Sequence, residues 1–274
     1  MKVVLFCGGQ GMRMRPLGGA GSGGYGDDLP KPMVHVGGQR PLIWHVMKYY
    51  AHYGHKDFIL CLGYRAETIK NYFLNYNEYL TNDFVMTGGN KAELVHSDIH
   101  DWRISFVDTG LSACVGERLY AVREHLQGEE MFLANYSDGL SDLPLNPYMD
   151  QFKASGAVAG FAAVRPPQSS HVVRLEDDGH VRSIDPIRTS EIWINGGYFI
   201  LRKEIFDYMR KGEELVHEPF HRLLADKKLF GYRYEGFWTC VDTFKEKQDL
   251  DDMLAKGNTP WQVWQNEQQR ISAR

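Results

Sequence analysis

Unbroken apolar runs alternate along this chain with stretches in which apolar residues recur every three or four positions. Val3 to Cys7 is the first run, ending at a glycine pair, and reads as a strand buried on both faces. "PLIWHVMKYYAHY", from Pro41 to Tyr53, has helical spacing, with Pro41 suited to a first turn where its missing N–H does no harm. "DFILCLGY" predicts the next strand and "AETIKNYFLNY" the next helix. The order repeats: "RISFVDTG" is strand-like, "ERLYAVREHL" helical, and "MFLANYSDG" a strand ending in an acid. Residues Asn146 to Ala154 predict a helix and "AVAGFAAV" another buried strand. Such alternation predicts an α/β fold with a mostly parallel sheet covered by helices.

The pattern then changes. "HVVRLEDDGHVRSI" predicts an antiparallel hairpin around Asp-Asp-Gly. "WINGGYFIL" follows, then helices near Glu204 to Met209 and from Pro219 to Asp226. "LFGYRYEGFWTCVDT" predicts a strand and its loop, and a charged helix follows from Lys245 to Ala255. No repeat or linker divides the chain, so residues 1–274 read as one domain with a C-terminal α+β extension.

Composition narrows the classes. At 274 residues and 43% hydrophobic, the chain suits one large α/β domain. No run of about eighteen apolar residues predicts a membrane span, and the apolar start is too short for a signal peptide. A net charge of −4 argues against a nucleic-acid partner. Cys7, Cys61, Cys114 and Cys240 are scattered without a C-x-x-C pair, which fits a cytoplasmic protein. Positive charge is concentrated locally: Lys2, Arg13, Arg15, Lys31 and Arg40 stand against Asp27 and Asp28 in the first forty residues.

That charge surrounds a glycine-rich stretch from Gly8 to Gly26. Glycine lets backbone approach a ligand closely, and arginine beside it points to an anion such as phosphate. The stretch is not the dinucleotide fingerprint, because Met14 stands where the third glycine belongs, and no Gly-Lys-Ser/Thr makes it a P-loop. Asp138 in "YSDG" and Asp242 in "CVDT" each follow an apolar strand. Alone, each reads as a turn former or a helix cap; converging beside a phosphate loop, they would hold a divalent metal. "HEPFH" matches the H-E-x-x-H zinc pattern, but Pro219 favours a helix start between the histidines. Trp261 and Trp264 read as packing or a subunit contact.

Taken in order, "GGQGMR", "LPKPM", "VDTG", "YSDG", "INGGYFIL", "GFWTCVDT" and "PWQVW" resemble the sugar nucleotidyltransferase family, the NDP-sugar pyrophosphorylases, in its cytidylyl-transferring branch. The resemblance covers Lys2 to Trp264 and implies a Rossmann-like nucleotidyltransferase fold, with 171–274 contributing the acceptor-binding part. It implies a homo-oligomer that joins CTP to a sugar 1-phosphate, glucose 1-phosphate first, with Mg²⁺ as cofactor. By motif position, Arg13 and Lys31 would be catalytic, neutralising the β/γ- and α-phosphates. Gly8, Gly9 and Gly11 would offer amides to the nucleotide, with Thr109, Gly110 and Arg118 near base and ribose. Asp138 and Asp242 would hold the metal, and Asn195 and Gly196 would lie beside the sugar.

Three departures accompany the resemblance. Met12 stands where the family usually carries Thr, and the glycine-rich insert Gly18 to Gly26 is unusual in composition, reading as a lid or simply as a mobile loop. The family's Glu-Lys-Pro stretch, whose lysine binds the sugar phosphate, is replaced by "SIDPIRTSEIWINGG", where Arg188 is the nearest cation. The acceptor therefore extends to another phosphorylated sugar, a polyol or a phosphonate, and a catalytically impaired nucleotide-binding regulator is the other class left open. A dinucleotide-dependent oxidoreductase is disfavoured by the absent third glycine.

Overall fold

The computed structural model describes residues 1–9, 29–37, 40–80, 82–167 and 170–265. The expectations placed on Gly11, Met12, Arg13, Arg15 and the Gly18 to Gly26 insert lie outside them. The first half contains β1 (Lys2–Phe6), β2 (His35–Val36), β3 (Arg40–Pro41), α1 (Leu42–His52), β4 (Asp57–Leu62), α2 (Ala66–Leu74), β5 (Phe84–Thr87), β6 (Lys91–Leu94), β7 (Arg103–Asp108) and α3 (Val115–Ala121). There follow β8 (Met131–Tyr136), β9 (Gly139–Ser141), α4 (Leu145–Ser155), β10 (Ala159–Val164), β11 (His171–Leu175) and β12 (Val181–Pro186). The chain continues through β13 (Ile194–Asn195), β14 (Phe199–Arg202), α5 (Glu218–Ala225), β15 (Leu229–Tyr234), β16 (Trp238–Cys240) and α6 (Phe244–Ala255).

The main sheet runs β13-β10-β14-β8-β1-β4-β7, with β15 also paired to β10. β1 pairs in parallel with β4 and β8, β4 with β7, and β10 with β15. Only β13 and β14 run against the others, as expected for a mostly parallel sheet. β15 follows β10 along its whole length, so β13 and β14 share the opposite edge of β10 as one strand broken at residues 196–198. The break is held open by hydrogen bonds. Gly197, at φ +75°, has its N–H on Asn195 Oδ1 at 2.9 Å, and Tyr198, at φ 51°, has its N–H on Asn135 Oδ1 at 3.0 Å.

Alternation along the strands divides the core in two. Val3 and Leu5 face the side covered by Leu42 and Tyr49 of α1 and Tyr148 and Phe152 of α4. Val4 and Phe6 face Leu119 of α3 and Phe220 and Leu223 of α5. Because both faces are covered, the strands read as unbroken apolar runs rather than alternating ones.

Several local expectations change. The helix near Glu204 to Met209 is a 3-10 turn, Lys203–Tyr208; only Ile205 is buried, and one apolar anchor does not make a helical stripe. "LFGYRYEGFWTCVDT" is two strands rather than a strand and its loop, because β16 pairs with β9, a segment about a hundred residues earlier that no local pattern reveals. The hairpin of β5 and β6 has no signature in the sequence, since every residue of β5 is exposed and carries no alternation. The predicted hairpin of β11 and β12 is present. Pro219 does open a helix, with His217 outside it as N-cap, so the two histidines of "HEPFH" do not share a helix face. Trp261 is buried in the core against Phe237, and Trp264 meets Trp44 edge-on at 5.9 Å, so this pair packs within the chain. Among the described residues no helix is long and apolar enough to cross a membrane.

Candidate active site

Three charged side chains from distant parts of the sequence meet beyond the carboxyl ends of β1 and β8. Asp138 sits in the turn between β8 and β9, and that turn is tied to β1 by Ser137 Oγ, which donates to the Phe6 carbonyl at 2.9 Å. β9 then pairs antiparallel with β16, Gly139 opposite Cys240, and the Val241 N–H reaches the Asp138 carbonyl at 3.1 Å. This short ladder delivers Asp242 beside Asp138. Lys31 comes from a 3-10 turn, Lys31–Met33, whose Pro32 and Met33 are buried and fix its base. Its Nζ donates to Asp138 Oδ2 at 2.5 Å and also to Asp242 Oδ1.

The capping role that Asp242 could have filled belongs to its neighbour. Thr243 Oγ1 accepts the Glu246 N–H at 3.3 Å, while the Glu246 carboxylate accepts the N–H groups of Asp242 at 2.7 Å and Thr243 at 2.8 Å. This capping box starts α6 and fixes the backbone of Asp242 while leaving its carboxylate for Lys31. The three side chains are 17%, 23% and 32% exposed for Lys31, Asp138 and Asp242, so a ligand can reach them. Burial alone would lower the Lys31 pKa; the two carboxylates outweigh it and raise it, keeping the ammonium charged. The nearby Cys240 thiol is pushed up to about 12 by burial and then by Asp242 and Asp138, which makes it a poor nucleophile.

Arg118 is placed quite differently from a ligand contact. Only 4% exposed, it donates to the carbonyls of Gly8 at 3.1 Å, Leu62 at 3.0 Å and Gly110 at 2.9 Å, and to Thr109 Oγ1 at 2.8 Å. These oxygens belong to the ends of β1, β4 and β7 and the segments after them, so one guanidinium ties three strand ends together. A Cβ at Gly8 would lie 2.0 Å from Arg118 Nη1, so glycine there makes room for the clamp. Gly110, at φ +94°, turns its carbonyl into the same clamp, while Gly9 is exposed. Thus Thr109 and Gly110 border the site through Arg118.

Asn195 and Gly196 lie at the break between β13 and β14. The Asn195 side chain faces Tyr136, and the Gly196 carbonyl accepts Trp238 Nε1 at 2.9 Å, which links this edge to β16, the strand that leads to Asp242. Arg188 is not drawn into this group. It is exposed, and its Nε donates to the Pro167 carbonyl at 2.9 Å. Sequence pattern does not single out Trp193, Arg165 or Arg233, which line a cavity at the end of β10.

The chain matches the nucleotidyl transferase family over residues 2–246. It belongs to that family. Among curated proteins, this nucleotidyl transferase is 34% identical over 266 residues to the Bacillus subtilis protein named "Probable glucose-1-phosphate cytidylyltransferase", covering 96% of this chain and 100% of that one. It is also 34% identical to the glucose-1-phosphate cytidylyltransferase of Salmonella typhimurium, over 97% of this chain and 100% of that protein. Among solved structures, UTP-bound UGPase from Acinetobacter baumannii superposes with a TM-score of 0.65, covering 100% of this chain and 99% of the other at 18% identity, a likeness of fold. The chain is accordingly an enzyme of nucleotidyl transfer to sugar phosphates, on the mixed α/β fold of its structural neighbours.

Proposed function

We propose that this enzyme joins CTP to a sugar 1-phosphate of the glucose type, glucose 1-phosphate itself or a derivative of it, releasing pyrophosphate and forming a CDP-sugar. The names of its relatives support the nucleotide and the sugar. The observation that carries the chemistry is the convergence of Lys31, Asp138 and Asp242 on one point. In the reaction a phosphate oxygen of the acceptor attacks the α-phosphorus in line. An oxygen–phosphorus bond forms as the bond to the β-phosphate oxygen breaks, and no covalent enzyme intermediate is needed.

The donor set fits Mg²⁺. Two carboxylates from separate loops stand close enough for one ammonium to bridge them, so a small cation is electrostatically at home there. Bound between Asp138 and Asp242, the metal would supply charge neutralisation for the phosphates. Lys31, on a flexible stem from its rigid turn, sets its ammonium against the α-phosphate, where negative charge grows in the transition state. Arg13 and the amides of Gly8, Gly9 and Gly11 are assigned to the nucleotide phosphates on motif position. Arg118 acts at one remove, fixing Gly8, Thr109 and Gly110 for base and ribose. Asn195 and Gly196 are assigned to the sugar on motif position, and Arg188, as the nearest cation, to the acceptor phosphate; in the structure Arg188 Nε donates to the Pro167 carbonyl.

The test is pyrophosphate release with CTP, UTP, ATP and dTTP, each offered with glucose 1-phosphate and Mg²⁺. CTP with glucose 1-phosphate should give the highest kcat/KM. A higher value with any other nucleotide rejects the assignment.

A further inference from the structure

A cavity of about 690 Å³ opens at the edge of the sheet and is lined by Arg165, Glu191, Trp193, Arg233 and Glu235. Register explains its lining. Ala163 pairs with Asn195 on one side and Arg233 on the other, so these three side chains share a sheet face. Arg165, Trp193 and Glu235 lie two residues along the same strands or their continuations, and therefore on that face too. Ala163 has almost no side chain, which leaves a floor between them. The row continues past Asn195 to Tyr136, two residues before Asp138. At about 4.8 Å per strand, Arg233 stands two spacings beyond Asn195. Measured from Asn195, the residue assigned to the sugar by motif position, the Arg233 side of the cavity is about 10 Å away along one sheet face.

The side chains there are arranged for an anion. Arg165 lies over the Trp193 ring, 3.9 Å from its centroid, with one end donating to the Ser190 carbonyl. Stacking holds the planar guanidinium in place, ready for bidentate contact. Its carboxylate neighbour, Glu235, is 3.5 Å away and 72% exposed, a surface pair that adds little and yields readily. Arg233 lies 5.7 Å from the same ring and makes no hydrogen bond or ion pair among the described residues. Two guanidinium groups beside one indole, one without a carboxylate partner, favour a planar or tetrahedral anion over a neutral hydroxymethyl group.

We infer that this cavity is an acceptor subsite for a second anionic group, a carboxylate or phosphate at the end of the sugar remote from the attacking 1-phosphate. The inference rests on the proposed reaction and narrows its acceptor. Glu235 sharpens the selection, because an acceptor without the anion leaves Arg165 paired with it.

The experiment compares glucose 1-phosphate, glucuronic acid 1-phosphate and glucose 1,6-bisphosphate in pyrophosphate release with CTP and Mg²⁺, and in calorimetric binding. At least one doubly anionic acceptor should exceed glucose 1-phosphate in kcat/KM by about tenfold or more, and which one does so distinguishes carboxylate from phosphate. Arg233→Gln, a change at an exposed position, should cut that ratio about tenfold, and Arg165→Gln should cut it as well. Equal use of all three acceptors by the wild type, or a variant that lowers all three by one factor, overturns the subsite. Should no acceptor release pyrophosphate from any nucleotide, the proposed reaction falls. Calorimetry then decides the cavity: tighter binding of an anionic acceptor that is lost in Arg233→Gln sustains it, and no such difference overturns it.

Discussion

Arg118 and Lys31 both carry positive charge to the same end of the sheet, and each is held by oxygens from other chain segments. Their surroundings differ in kind. Arg118 is enclosed by carbonyl and hydroxyl oxygens that belong to the fold and cannot leave it. Lys31 faces two carboxylates, both partly open to solvent and both able to take another cation. A charge neutralised by backbone dipoles is a fastening; a charge neutralised by opposite charges is exchangeable. The difference separates what shapes the site from what reacts in it.

The comparison breaks most sharply at the acids. Asp138→Asn and Asp242→Asn keep size but remove a negative charge from the pair. Turnover should fall by about a hundredfold or more at saturating Mg²⁺, an effect of the order seen when one electrostatic contributor is lost. The unfolding midpoint should move little, because both groups are accessible; steady-state kinetics and a thermal melt on the same samples check this.

Arg118→Met should show the opposite balance. It strands buried carbonyls at three strand ends, costing about 1–3 kcal/mol of stability, read from the urea midpoint. A variant as stable as wild type would show that water replaces the guanidinium and that the clamp is not structural.

His45 tests the rule with a base that is not kept charged. It is buried in α1 between the Trp44 and Trp264 rings, and burial pushes its pKa down to about 3 from 6.5. Its folded pKa lies below the unfolded value, so the unfolded chain binds the proton first. Stability should be full above pH 6.5 and fall as pH drops toward 3, by about 1.4 kcal/mol per unit once well below the unfolded pKa. His45→Phe should flatten that part of the profile in urea titrations across pH.

The smallest effect comes from the cap behind Asp242. Thr243→Ala removes the hydroxyl that accepts the Glu246 N–H and should cost about 1 kcal/mol. The Asp242 N–H keeps its bond to Glu246, so turnover should fall far less than in Asp242→Asn. Parallel urea melts and steady-state kinetics on the two variants check both halves.

Much of this is legible in the residues. The strands and helices of the parallel half are readable because both sheet faces are covered, which writes each strand as an apolar run. Asp138 and Asp242 can be singled out by their place after such runs, but their meeting depends on β9 pairing with β16, a long-range event with no local trace. Motif position marks Arg118 as a contact near base and ribose; its burial under Gly8 emerges only in the fold. Arg165 and Arg233 are silent because each is an ordinary strand-edge arginine until Ala163 brings them to one face.

The bridge from Lys31 to the two acids also bears on how the molecule is made. Lys31 lies 107 residues from Asp138 and 211 from Asp242, so the site is built from contacts of high sequence separation, which form late and slowly. During synthesis the first sheet strands can pair while Asp242 is still untranslated. Until the C-terminal ribbon docks, the chain has a sheet but no second acid, and catalytic competence arrives only with the last part of the fold.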